Sequence, residues 1–209
     1  MSRHTSLARW TVLAALALLA SAPVHAARTL LVLGDSVSAG YGIKVEEGWV
    51  TLLQQRLRSQ GYGYRVVNAS VSGETTTGGL TRLPRALQIH KPEIVVLELG
   101  GNDALRGLPL ATTRGNLARM VDLSQRAGAR VLLVGMKIPP NYGHRYSRGF
   151  EQIFTDLARE RRLPLVPFLL EGVALTPGMM QDDGIHPRAN GQPVMLGNVW
   201  PALQPLLRR

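Results

Sequence analysis

The chain has 209 residues, no cysteine, 24 Lys and Arg against 14 Asp and Glu, and a formal net charge of +10. Without cysteine there is no disulfide framework, no thiol nucleophile, no thiolate metal site and no lipid-anchored N-terminal cysteine, so stability must come from packing. The basic balance supports solubility and attraction to anionic lipid surfaces or acidic substrates. The arginines are nonetheless scattered, with no aromatic-interleaved basic run, which argues against nucleic acid as a partner.

Residues 1–26 read as an export signal: Arg3 and Arg9 charge its start, residues 11–20 form an apolar run, and Val24-His25-Ala26 offers small residues before a cut after Ala26. The competing reading, a membrane anchor, needs about 20 apolar residues, roughly twice that run. The expected product, residues 27–209, is long enough for one well-buried core and short for two, so a single domain in the periplasm or outside the cell is expected. A monomer is expected as well.

Apolar, strand-like runs at 29–33, 64–68, 94–99, 130–134 and 163–166 alternate with segments of helical period. The helical stripes are Trp49, Leu52, Leu53 and Leu57; Leu117, Met120, Val121 and Ser124; Ile153, Phe154, Leu157 and Ala158; and Val194, Met195, Val199 and Leu203. This alternation predicts an α/β fold: a three-layer sandwich with a five-stranded parallel sheet in the order 2-1-3-4-5 and helices on both faces, as in flavodoxin. Strands one and three would then be neighbours, with a crevice at their carboxyl ends flanked by Ser36 and Asn102. Residues 167–185 carry the weakest signal for regular structure, and a loop that long can run back across that edge.

Three short stretches hold the chemistry: Gly34-Asp35-Ser36-Val37-Ser38, Gly100-Gly101-Asn102-Asp103 and Asp182-Asp183-Gly184-Ile185-His186-Pro187. A serine hydroxyl needs a base to take its proton, and an imidazole oriented by a carboxylate is a suitable one near neutral pH. His186 fits best, since His90 sits at an expected helix end and His144 lies in the arginine-flanked stretch 141–148, read as a surface loop in which it is a surface histidine or, as the lesser alternative, a substrate contact. Asp183, three residues earlier, reaches the imidazole if Gly184 allows a tight turn. A capping Asp with an incidental His, or a metal site using Asp182, Asp183 and His186, are the competing readings, the latter without further ligands at recognisable spacing. Backbone N–H of Ser36 and Gly73 with the Asn102 amide could receive a developing oxyanion. Taken singly, Gly73 and Asn102 read equally well as turn residues.

The blocks around Ser36, Gly73 and Asn102, and the Asp183-x-x-His186 pair, occur in the order found in SGNH hydrolases, also called GDSL lipases and esterases, and the chain resembles that family along nearly all of 27–209. The stretches 31–41, 98–106 and 180–187 are most similar to its exported bacterial acyl thioesterases, lysophospholipases and arylesterases. Val37 stands where the family's nickname expects leucine, a conservative change. The resemblance implies Ser36 as nucleophile, His186 as base, Asp183 as its orienting partner, and Ser36, Gly73 and Asn102 as oxyanion donors, with no cofactor and no metal. It implies cleavage of ester and thioester substrates, lipids included. Leu105, Leu108 and Leu110 after the Asn102 turn, and Pro140 and Tyr142 after strand four, are candidate walls of an acyl groove, or else core. An envelope polysaccharide O-deacetylase would use the same residues, and a noncatalytic envelope-binding module would have only the positive charge in its favour.

Overall fold

The computed structural model describes residues 28–209, apart from the side chain of Pro140. The expected export signal at 1–26 lies outside the described residues. Five strands, β1 (Arg28–Gly34), β2 (Tyr64–Asn68), β3 (Ile94–Glu98), β4 (Arg130–Val134) and β5 (Leu165–Val166), form one sheet in the order β2-β1-β3-β4-β5. Every neighbouring pair is parallel. The expected order is thus the observed one.

Strand side chains alternate between two cores, because successive residues of a strand point to opposite faces. Leu31, Leu33, Val95, Leu97, Val131 and Leu133 pack against α3 (Thr76–His90), α5 (Leu110–Arg126) and α6 (His144–Arg161). Leu30, Val32, Ile94, Val96, Leu132 and Val134 pack on the other face against α2 (Trp49–Ser59) and α7 (Gln192–Leu203). Being covered on both faces explains the continuous apolar strands. Each fully buried leucine among them contributes about 1.5–3 kcal/mol relative to exposure, which suits a fold without cross-links.

β1 is longer than the expected 29–33 by one residue at each end and β3 ends one residue before the expected 99, while two further boundaries differ more. β5 spans two residues rather than four, because Leu163 N–H completes the end of α6 by bonding the Ala158 carbonyl at 2.8 Å and Pro164 has no N–H to give. The stretch 141–148 is not a loop throughout: α6 starts at His144, although no side chain caps it. Among the described residues no helix is long and apolar enough to cross a membrane.

β1 and β3 lie side by side with Gly34 level with Glu98, and their chains then leave for opposite faces. The short helices α1 (Ser36–Ala39) and α4 (Gly101–Leu105) sit at these two strand ends. This divergence opens the crevice in which polar side chains from separate segments meet.

Candidate active site

Ser36 is the first residue of α1. Asp35 caps that helix, its Oδ1 accepting from Val37 N–H at 3.0 Å, and this sets the sharp turn out of β1. Ser36 Oγ lies 2.8 Å from His186 Nε2, and His186 Nδ1 lies 2.6 Å from Asp183 Oδ2. The other Asp183 oxygen accepts from the N–H groups of Ile185 (2.9 Å) and His186 (3.0 Å), an Asx turn that Gly184 permits at φ +66°. The hydrogen bond from the His186 ring, then that from its backbone, holds the Asp183 carboxyl down at about 2, so it is ionised at neutral pH. With Nδ1 protonated toward this carboxylate, Nε2 is free to accept the serine proton.

The segment 167–188 does cross the carboxyl edge, and contacts absent from the sequence reading seat it there. Gln181 N–H bonds the His186 carbonyl (2.7 Å), while its side-chain amide reaches the carbonyls of Tyr41 (2.8 Å) and Pro187 (3.2 Å). The Tyr41 ring lies against the His186 ring with centroids 4.5 Å apart. Tyr41, Gln181 and Asp183 also line an open cleft of about 780 Å³ with Lys44 and Arg188.

Three hydrogen-bond donors follow the carboxyl ends of β1, β2 and β3. Neither Ser36 N–H nor Gly73 N–H bonds another group among the described residues. Asn102 gives one amide hydrogen to Asp35 Oδ2 at 3.2 Å, which leaves the second for a ligand. Gly73 occupies a turn in which Glu74 N–H bonds the Val71 carbonyl (3.2 Å), and its φ of +76° explains why a residue without Cβ stands there. Arg82 from α3 ties this loop to the sheet, bonding the carbonyls of Ala69 and Gly34 and pairing with Glu74 at 2.6 Å.

Beneath Ser36 lie two buried carboxyl groups. Glu98 Oε2 accepts from Ser38 Oγ (2.6 Å) and from Asp35 N–H (3.3 Å). Burial, and secondarily the charge of Asp35, push the Glu98 carboxyl well above the ordinary carboxylate range. Burial also pushes Asp35 up to about 6, against the lowering effects of the Val37 N–H, the His186 imidazole and the Asn102 amide. The sequence analysis missed this pair; the one signal that could have found it is the charged Glu98 inside the apolar run 94–99.

An unfolded Asp releases its proton near 3.8, and folded Asp35 near about 6. Between these values the folded state binds more protons, so this group's contribution falls as pH rises through the window, by up to about 3 kcal/mol. Asp35→Asn cannot titrate, and its amide faces that of Asn102, so a static loss is expected at acidic pH. The informative quantity is the slope: between about pH 4 and about pH 7 the wild type should lose stability relative to Asp35→Asn in denaturant titrations. Parallel profiles would refute the assignment.

The candidate groove residues divide. Leu105 closes α4 half-buried; Leu108 is half-buried, and its carbonyl accepts from the Tyr146 hydroxyl at 2.7 Å. Leu110 begins α5 and lines a cleft of about 800 Å³ with His144, Tyr146, Arg148 and Gly149. Tyr142 is 38% exposed in the 3-10 turn Pro140–Tyr142, and the Pro140 side chain lies outside the described part. Ile138, a neighbour of these residues, is core. His90 ends α3, away from the crevice. Among the described residues, no three His, Asp or Glu side chains are grouped so as to hold a metal ion.

A doubly wound parallel sheet whose first strand delivers a serine to an Asp-supported imidazole, with N–H groups left unpaired at the neighbouring strand ends, defines the serine hydrolase class. The chain belongs to the GDSL-like lipase/acylhydrolase family, whose model matches residues 32–193. It is 55% identical to "Esterase TesA" of Pseudomonas aeruginosa, over 87% of this chain and 90% of that protein. It is 42% identical to "Thioesterase 1/protease 1/lysophospholipase L1" of Escherichia coli K12, over 99% of this chain and 98% of that protein. Among solved structures, the crystal structure of TesA superposes with a TM-score of 0.84 at 54% identity, covering 86% of this chain and 100% of that one. The chain is an enzyme of the esterase type, acting on small-molecule ester substrates.

Proposed function

We propose that this protein is an exported serine hydrolase of broad specificity, cleaving carboxylic esters, aryl esters and lysophospholipids among them, and acyl thioesters through an acyl-enzyme. The observation that carries the reading is the unbroken chain from Asp183 through His186 to Ser36, at 2.6 and 2.8 Å. Ser36 Oγ attacks the carbonyl carbon while His186 Nε2 takes its proton, and Asp183 stabilises the resulting imidazolium. The tetrahedral oxyanion accepts from Ser36 N–H, Gly73 N–H and the second amide hydrogen of Asn102. Collapse breaks the C–O or C–S bond, and His186 returns its proton to the departing alcohol or thiol. Water, deprotonated by His186, then releases the acid from Ser36. No cofactor enters these steps.

Export to the periplasm or medium rests on the charged start and apolar run of residues 1–26. A monomer needs no second chain for these steps, since every proposed group comes from one chain. Without Arg3 and Arg9 the product carries 22 Lys and Arg against 14 Asp and Glu, and this formal charge of +8 supports transient contact with anionic membrane surfaces, where lysophospholipids reside.

The purified protein, assayed on p-nitrophenyl esters of varied acyl length, acyl-coenzyme A and lysophospholipid, is expected to hydrolyse all three classes. Release of acetate from acetylated polysaccharide, with none of these cleaved, would replace the reading with that of a deacetylase. The half-buried leucines beyond Asn102 support an acyl groove there. Leu108→Asp is accordingly expected to lower rates on long-chain esters more than on acetate esters, and equal losses would remove the groove from this loop.

A further inference from the structure

The short helix α4 bears more than Asn102. Asp103, fully buried, accepts at Oδ2 from Thr76 N–H (2.8 Å) and at Oδ1 from the hydroxyls of Thr76 and Thr113, so α4 is fastened to the start of α3. Four residues after Asn102, Arg106 extends to the loop that carries Gly73, and its Nη2 donates to the Gly73 carbonyl at 2.9 Å. Arg106 forms no ion pair among the described residues, although most other arginines buttressing the site pair with a carboxylate. Among the described residues its guanidinium thus has one hydrogen-bond partner, the carbonyl of Gly73, whose own N–H has none.

That carbonyl needs holding. The turn at 71–74 is closed at its base by the Glu74 N–H and anchored through Arg82 and through Val71 N–H, which bonds the Gly34 carbonyl at 3.1 Å; among the described residues, Arg106 alone bonds its tip at Gly73. A Cβ placed on Gly73 would meet only Arg106 Nη2 within 4 Å, at 3.8 Å. A glycine with open space on its other sides swings easily, and a displacement of about 1 Å in a reacting group can cost about 100-fold in rate.

We propose that Arg106 is a positioning residue: by holding the Gly73 carbonyl it fixes the φ and ψ of Gly73, and so the direction in which the Gly73 N–H donates to the oxyanion, so that the segment supplying the Asn102 donor also sets the Gly73 donor. This rests on the hydrolase reading above and adds a residue that does not itself touch the reacting atoms. Its action is through a carbonyl, so the effect falls on the transition state, where charge gathers on the oxyanion, and little on ground-state binding.

Arg106→Ala, measured beside the wild type on a neutral p-nitrophenyl ester, is expected to lose about 10- to 100-fold in kcat with KM within about twofold. Because the side chain is exposed, the melting temperature should hold, and guanidinium ion at concentrations well below denaturing should restore part of kcat to Arg106→Ala while doing nothing for the wild type. A kcat within about twofold of wild type, a rise in KM at unchanged kcat, or a kcat loss that guanidinium does not relieve would each overturn the assignment. An inactive wild type would instead overturn the hydrolase reading, which keeps the two failures apart.

Discussion

Replacing Ser36 by alanine is expected to lower kcat for ester hydrolysis by about 10⁶-fold, to the level that binding and oxyanion stabilisation alone provide. The loss is this large because, among the described residues, no other hydroxyl bonds His186 Nε2, which Ser36 Oγ meets at 2.8 Å. Ser38, the nearest candidate by sequence, donates to Glu98 and is 3% exposed. The fold should tolerate the change. Ser36 uses its backbone carbonyl, not its side chain, to accept from Tyr41 N–H at 3.1 Å, and alanine suits the first turn of a helix. Wild type should therefore be labelled by a fluorophosphonate at Ser36, and Ser36→Ala should melt normally without being labelled. Labelling that persists at a different serine would reassign the nucleophile.

Asn102→Ala is expected to cost about 100- to 1000-fold in kcat, or about 2.7–4 kcal/mol of transition-state stabilisation, with KM changed far less. Two effects combine. The oxyanion loses one of three donors, and Asp35 Oδ2 loses the amide that meets it at 3.2 Å, which leaves a buried carboxylate oxygen without its partner. The second effect should appear as a drop in stability of roughly 1–3 kcal/mol, separable from the kinetic loss by denaturant titration. A kinetic loss below about tenfold would show that Asn102 holds Asp35 in place and does little for the substrate.

The double use of Asn102 shows how nucleophile and oxyanion donor are tied together. Asp35 caps the helix that begins with Ser36 through one oxygen and restrains Asn102 through the other, so one carboxyl spans the ends of β1 and β3. Motif reading found Asp35 beside Ser36 and Asp103 beside Asn102, but the partners that give these acids their work lie 67 and 27 residues away. Glu98 passed unnoticed within a run read as apolar, and its acceptance from Ser38 depends on β1 and β3 being neighbours. Arg82 and Arg106 were indistinguishable from the other scattered arginines until the loop around Gly73 was in place.

Elements were legible wherever burial imposes a period. The four stripes beginning at Trp49, Leu117, Ile153 and Val194 all face the two cores, because a helix on a sheet must bury one side. Boundaries were less legible at β5 and α6, where a proline without N–H and an uncapped helix start decide the ends locally.

By itself, then, the order of residues determined the layered parallel sheet and the separate pieces of chemistry, since hydrophobic period and the conformational demands of glycine and aspartate act over a few neighbours. Only the tertiary structure decided the distances: 150 residues separate Ser36 from His186, and no local preference specifies a 2.8 Å approach across such a span. That approach follows from burying both faces of the sheet at once, which brings the ends of β1 and β3 together and lays the segment 167–188 over them.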